Sequence, residues 1–187
     1  MEQPILAAAQ LSYKARVECD GVDPMARMQE WAAGDYFCIP LKDGAFSLGQ
    51  VIATEPMTMK NAPACAFFGR RFEAKPDKLA VEPTDAEIVS VLFVTRDLLD
   101  LGEWQVVAHS EPLDVRRYLP DIDQQKAKEW VGTKVYGSGV ARKLMNAYFG
   151  LHPWDGFYVS HYLDGLLLSP DRKPASVRLK RDFPEQP

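Results

Sequence analysis

Apolar positions change rhythm along the chain, and the changes mark its elements. Short apolar runs at Tyr36 to Leu41, Ala45 to Thr54, Pro63 to Phe72, Ile88 to Thr95 and Trp104 to His109 are each bounded by Gly, Pro or Asp. Runs of this length, rich in branched and aromatic residues, read as β-strands. The continuous apolar character of Ile88 to Thr95 predicts a central strand, buried on both faces. Asp43-Gly44 between the first two runs suits a type I′ turn, which makes them a hairpin. Pro40 has no amide hydrogen, so its part of the first strand belongs at an edge or a bulge. Short links between successive strands predict an antiparallel meander.

A longer period takes over in two places. Asp23 to Gly34 reads as a short helix, with Asp23 as N-cap, Pro24 at the first helical position and Gly34 as the stop. Val140 to Phe149 reads as an amphipathic helix that Ser138 can cap and Gly150 ends, with Val140, Leu144, Ala147 and Tyr148 on one face. Asp121 to Trp130 is polar but rich in helix formers, Lys134 to Gly137 suits a short strand, and Tyr158 to Leu168 suits a short helix ended by Ser169-Pro170. The order of elements predicts an α+β fold: one curved, mainly antiparallel sheet, with an N-terminal short helix and C-terminal helices on one side. The expected organisation is an N-terminal extension over 1–22, one domain over 23–170, and a basic, Pro-flanked, solvated tail over 171–187.

Composition narrows the function classes. The chain has 187 residues, 47% of them hydrophobic and 26% charged, enough to bury a core without metal or disulfide support. A net charge of −4 and a pI near 5.4 argue against nucleic acid or an anionic membrane as partner. Membrane spans need runs of ~20 apolar residues and the chain has none, while Glu2 stands where a signal peptide needs a base. A cytoplasmic location is expected, with Cys19, Cys38 and Cys65 as reduced thiols.

Strong catalytic motifs are absent: there is no phosphate-binding glycine loop, no Gly-x-Ser-x-Gly and no His-Glu-x-x-His. Gly137-Ser138-Gly139 at a helix start resembles an anion site, though a plain cap explains it as well. His152, Asp155, His161 and Asp164, with His109 as a further candidate, are the residue types that bind zinc or a similar divalent metal. His161 and Asp164 are three apart and would share a helical face. The alternative is structural, with Trp154, Tyr158 and Tyr162 packed on the sheet and the two aspartates capping short helices. Trp31, Trp104, Trp130 and Trp154 are the side chains of greatest contact area, suited either to the core or to a binding surface.

Two segments of unusual order carry a resemblance. One comprises Gly34, Asp35, Phe37, Ile39, Pro40 and Leu41, with Gly49 and Val51 on the following strand. The other comprises Pro153, Trp154 and Asp155, then Tyr162, Asp164, Leu166 and Leu167. Together they resemble the immunity protein 26 family of bacterial polymorphic toxin systems, over roughly Gly34 to Leu168. The resemblance implies an intracellular α+β antitoxin, without cofactor, that binds and neutralises a toxin, often a nuclease, made by the same cell or its kin. An acidic surface suits such a role, since it can occupy a basic cleft and speed association. Asp35, Asp43, Trp154, Asp155 and Asp164 are the candidate contacts. The family is also linked by name to phosphotriesterase-like proteins, so the alternative is a metal-dependent phosphotriester hydrolase built on His152, Asp155, His161 and Asp164.

Overall fold

Five strands form one antiparallel sheet in the computed structural model, which describes residues 28–184. They are β1 (Asp35–Pro40), β2 (Phe46–Ala53), β3 (Ala64–Phe72), β4 (Ile88–Phe93) and β5 (Gln105–His109). The spatial order is β4-β3-β2-β1-β5. The meander therefore holds through β4, which lies at an edge of the sheet and not at its centre as expected, and then breaks. β5 crosses to the far edge and pairs with β1, with Tyr36 opposite Ala108 and Cys38 opposite Gln105. Trp104, just before β5, explains this placement: its fully buried ring stacks on Phe37 at 5.0 Å and meets Phe67 edge-on at 5.8 Å. Burying an indole against two aromatic rings outweighs the convenience of pairing with the neighbouring strand.

The β1–β2 hairpin closes through a three-residue loop, not the expected type I′ pair. Leu41 N–H donates to Ala45 O and Gly44 N–H to Leu41 O, and Gly44 alone takes a positive φ, of 87°. This is the type I turn with a left-handed glycine, whose Asp43 needs no strained backbone. Pro40 pairs with Phe46 of β2 but lies beyond the last residue that β5 reaches, so its missing amide hydrogen costs no ladder bond.

Both faces of the sheet are covered. On one side Phe37, Ile39, Val51, Cys65, Phe67 and Val89 pack with Ala141, Leu144, Met145 and Ala147 of a helix over Ser138–Tyr148, and with Trp154, Leu163 and Leu166 beyond it. Leu98 and Leu99 of α1 (Asp97–Asp100) complete this layer. On the other side Tyr36, Leu48, Ala66, Phe68, Ile88 and Phe93 pack with Val115 of α2 (Val115–Tyr118) and Ile122 of α3 (Ile122–Ala127). The long helix Ser138–Tyr148 is thus α4. The Tyr162–Leu166 stretch winds as a 3-10 turn, not an α-helix.

Each sheet edge is blunted by the chain itself, as soluble sheets require. At β5, Gln29 accepts from Val106 N–H and donates from its amide to Leu99 O and Trp104 O. At β4, Leu168 N–H donates to Val89 O and Tyr136 forms a parallel bridge with Val94. These bonds also explain the N-terminal side. Asp23 and Pro24 lie outside the described residues, and Met28 to Ala32, expected to continue their helix, carry none because Gln29 is held across the β5 edge. The basic C-terminal segment touches the domain at separate points while most of its residues stay exposed: Val177 and Leu179 pack on the first core layer, and Arg172 donates to the carbonyls of Asp85 and Ala86.

Candidate functional site

The first segment builds the corner where β1 begins. Gly34 takes φ 99°, a region that favours glycine, and an added Cβ would collide with Ser110 O. Its N–H donates to Val51 O, and its carbonyl accepts from Ser110 N–H. Asp35 accepts from Ala32 N–H at 2.7 Å and from His109 Nδ1 at 2.7 Å. Its carboxylate is thereby spent on the corner, and little of it faces outward. Gly49 lies beneath the Phe37 ring, where any Cβ would overlap Phe37 Cζ. Gln50, fully buried, donates to Glu111 O at 3.2 Å.

Trp154, proposed from sequence as a contact, is only 2% exposed and is a packing residue. Its indole Nε1 donates to Asp164 Oδ1 at 2.9 Å, and its backbone N–H donates to Arg178 O. Asp164 also accepts from Lys173 Nζ at 2.7 Å. Burial opposes ionisation of Asp164, but Lys173 and the indole outweigh it and hold the carboxyl below its ordinary value. Asp155 accepts from Lys180 N–H at 2.7 Å and pins the C-terminal segment.

His152 turns away from both aspartates. Its Nδ1 accepts from Lys42 Nζ at 3.4 Å, and its ring meets Phe157 edge-on. Burial first, then the ammonium groups of Lys42 and Lys143, push its pKa down, so the imidazole stays neutral. His161 is exposed near Asp164, adding to the positive potential there. Of the four candidate metal ligands, His152, Asp155 and Asp164 are engaged separately and His161 is exposed: no group of three His, Cys, Asp or Glu among the described residues is placed to hold a metal ion. Of the thiols, Cys38 is pushed up to about 11 and Cys65 higher still by burial, which makes both packing residues.

Asp43 does face solvent, at the hairpin tip, where its carboxylate pairs with Arg71 at 2.8 Å; the Arg71 guanidinium holds it below the usual carboxylate range. An open groove of about 590 Å³ lies between Met28 to Ala32 and the β2–β3 connection. Trp31 is its aromatic wall. Asp100 fixes Trp31 by accepting from Nε1 at 2.8 Å, and Arg96, itself paired with Asp100 at 2.6 Å, lies over the ring. Met28 and Met59 add apolar surface, and the exposed carboxylates of Glu30 and Glu55 stand at the rim. An aromatic floor with adaptable methionines and flanking charge is the make-up of a protein-binding hot spot. Of these groove residues only Trp31 stood out in the sequence, as a side chain suited either to the core or to a binding surface.

A family model described as immunity protein 26 matches residues 32–128, just over half of the chain. The match covers all five strands and α1 to α3, and it includes the first segment but not the second. No curated protein and no solved structure matches the chain. No helix among the described residues is long and apolar enough to cross a membrane. With the corner at Gly34 and Asp35, the glycine beneath Phe37 and the five-stranded sheet all inside the matched span, the chain belongs to the immunity protein 26 family.

Proposed function

We propose that this protein acts in the bacterial cytoplasm by binding a cognate toxin of a polymorphic toxin system and covering its active surface, with a nuclease as the target. Membership of an immunity family is the observation that carries this reading. The groove at Trp31 is the surface best suited to it. Glu30 and Glu55 can meet basic side chains lining a nuclease cleft, while Trp31, Met28 and Met59 supply apolar area at the centre. The net charge of −4 adds long-range attraction for a basic partner. Asp43 is a second exposed candidate, while Asp35, Asp155 and Asp164 contribute by holding the corner and the C-terminal segment in place.

Co-expression with the toxin encoded beside the gene tests the proposal. Wild-type protein should restore growth, and the pair should co-purify. Glu30→Lys with Glu55→Lys should slow association by about tenfold at low salt, an effect that shrinks as salt screens it. Absence of both protection and co-purification would end the reading.

A further inference from the structure

A second cleft, of about 660 Å³, lies between the β1–β2 turn and the first half of α4, lined by Pro40, Leu41, Lys42, Arg142, Lys143 and Asn146 among others. Its chemistry is opposite to that of the Trp31 groove. Asn146, buried on α4, bolts the two walls together: its Oδ1 accepts from Lys42 N–H at 2.8 Å and its Nδ2 donates to Arg142 O at 2.8 Å. The turn is thereby held so that Lys42 Nζ reaches His152 Nδ1, while Lys143 Nζ sits 5.5 Å from the centre of the Phe157 ring that also packs on His152. The close approach of His152 to Gly156 fixes the imidazole in this position.

Arg142 has a carboxylate partner, Glu103, at 2.9 Å. Lys42 and Lys143 have none among the described residues: Lys42 spends a hydrogen bond on a neutral imidazole and Lys143 lies over an aromatic ring. Gathering ammonium groups without a counter-ion raises the energy of the free protein, and an anion placed between them lowers it. At the mouth of the cleft Gly137 and Gly139 have open space where side chains would stand.

We propose that this cleft receives an aspartate or glutamate side chain of a protein partner. Resting on the toxin-binding reading, it names a second contact of that complex, a basic socket that complements the carboxylate-rimmed groove and fixes the register of docking. A nucleic-acid backbone fits less well. Asp97, bound to Ser138 at the helix start, and Glu103, beside Arg142, flank the cleft, and the whole chain is negative. A single carboxylate avoids those neighbours, whereas a run of phosphates meets them.

The test uses the full chain and an acetylated Gly-Glu-Gly peptide amide, which carries a single carboxylate, with His152 imidazole NMR signals as the reporter. The peptide should shift them and raise the pH at which His152 titrates, because the anion offsets the two ammonium groups that add to burial in lowering its pKa. Lys42→Gln with Lys143→Gln should weaken binding by about tenfold, while Lys128→Gln, an exposed cation at the end of α3 over the opposite face of the sheet, should leave it unchanged. No His152 shift, equal binding by the double variant, or equally tight binding of a tetrathymidylate would overturn the assignment. Because the peptide assay needs no toxin, a protein that binds the glutamyl peptide at Lys42 and Lys143 but fails to protect cells would retain the carboxylate socket and lose only the toxin reading.

Discussion

Trp154 and Asp164 form the clamp of the C-terminal half: the indole N–H reaches the carboxylate across 2.9 Å, and Lys173 approaches the same oxygen at 2.7 Å from the following segment. One carboxylate therefore ties the 3-10 turn, the buried tryptophan and the C-terminal strap together. Asp164→Ala leaves the buried indole donor unpaired and should cost about 1–3 kcal/mol in urea unfolding. Trp154→Ala, which also opens a cavity, should cost about 3–5 kcal/mol. Toxin binding by whatever protein remains folded should be unaffected in both cases, since Trp154 presents almost no surface.

Gly49 and Gly44 are both glycines of the first hairpin but resist substitution for different reasons. Gly49→Ala drives a methyl group into the Phe37 ring and should cost about 1–3 kcal/mol through overpacking. Gly44→Ala meets open space, so only the backbone strain of its φ of 87° is felt, about 1–2 kcal/mol. Gly49→Ala with Phe37→Leu should recover part of the first loss, while Gly44→Ala should gain nothing from the Phe37 change. Chemical denaturation of the four proteins checks this.

Acid should destabilise the fold in two stages. Burial and two lysines depress the His152 pKa below its usual 6.5, so the unfolded chain takes up this proton before the folded one does. Stability is then full above pH 6.5 and declines as pH falls from there. Asp43, Glu87 and Asp164 are also depressed, by Arg71, by Arg70, and by Lys173 with Trp154 acting against burial. Their stabilisation is whole above the ordinary carboxyl range and lost as pH drops through the depressed values. Unfolding free energies measured across pH should show both stages, and His152→Gln should remove only the upper one.

Buried thiols give a simple probe of the sheet. In a Cys19→Ser background, Cys38 and Cys65 should not react with a disulfide reagent at pH 8 until the protein unfolds. Rapid labelling of either in the native state would contradict the packing of β1 and β3 described above.

Strands and the long helix were legible in the sequence because their signals are local. The runs around Phe37, Phe67 and Val91 alternate or saturate with apolar residues, and Gly150 at φ 72° ends α4 where expected. The position of β5 was not legible, because it is decided by where the Trp104 indole finds Phe37 and Phe67, a non-local packing choice. The same holds for Gln29, whose bonds to Leu99, Trp104 and Val106 override the helix signals preceding it. At the site level, distinctive segments drew attention to residues that turn out to brace the fold, Asp35, Trp154 and Asp164 among them. Groove and cleft surfaces are assembled from ordinary residues such as Glu55, Lys42 and Lys143, whose sequence neighbours give no sign that they converge.

Titrating the cognate toxin's own activity with purified protein tests the central claim most directly. If the protein neutralises by covering a surface, activity should fall in proportion to the amount added and vanish at one equivalent, with no dependence on incubation time after binding. Undiminished activity in the presence of excess protein, or time-dependent loss at far less than one equivalent, would contradict it.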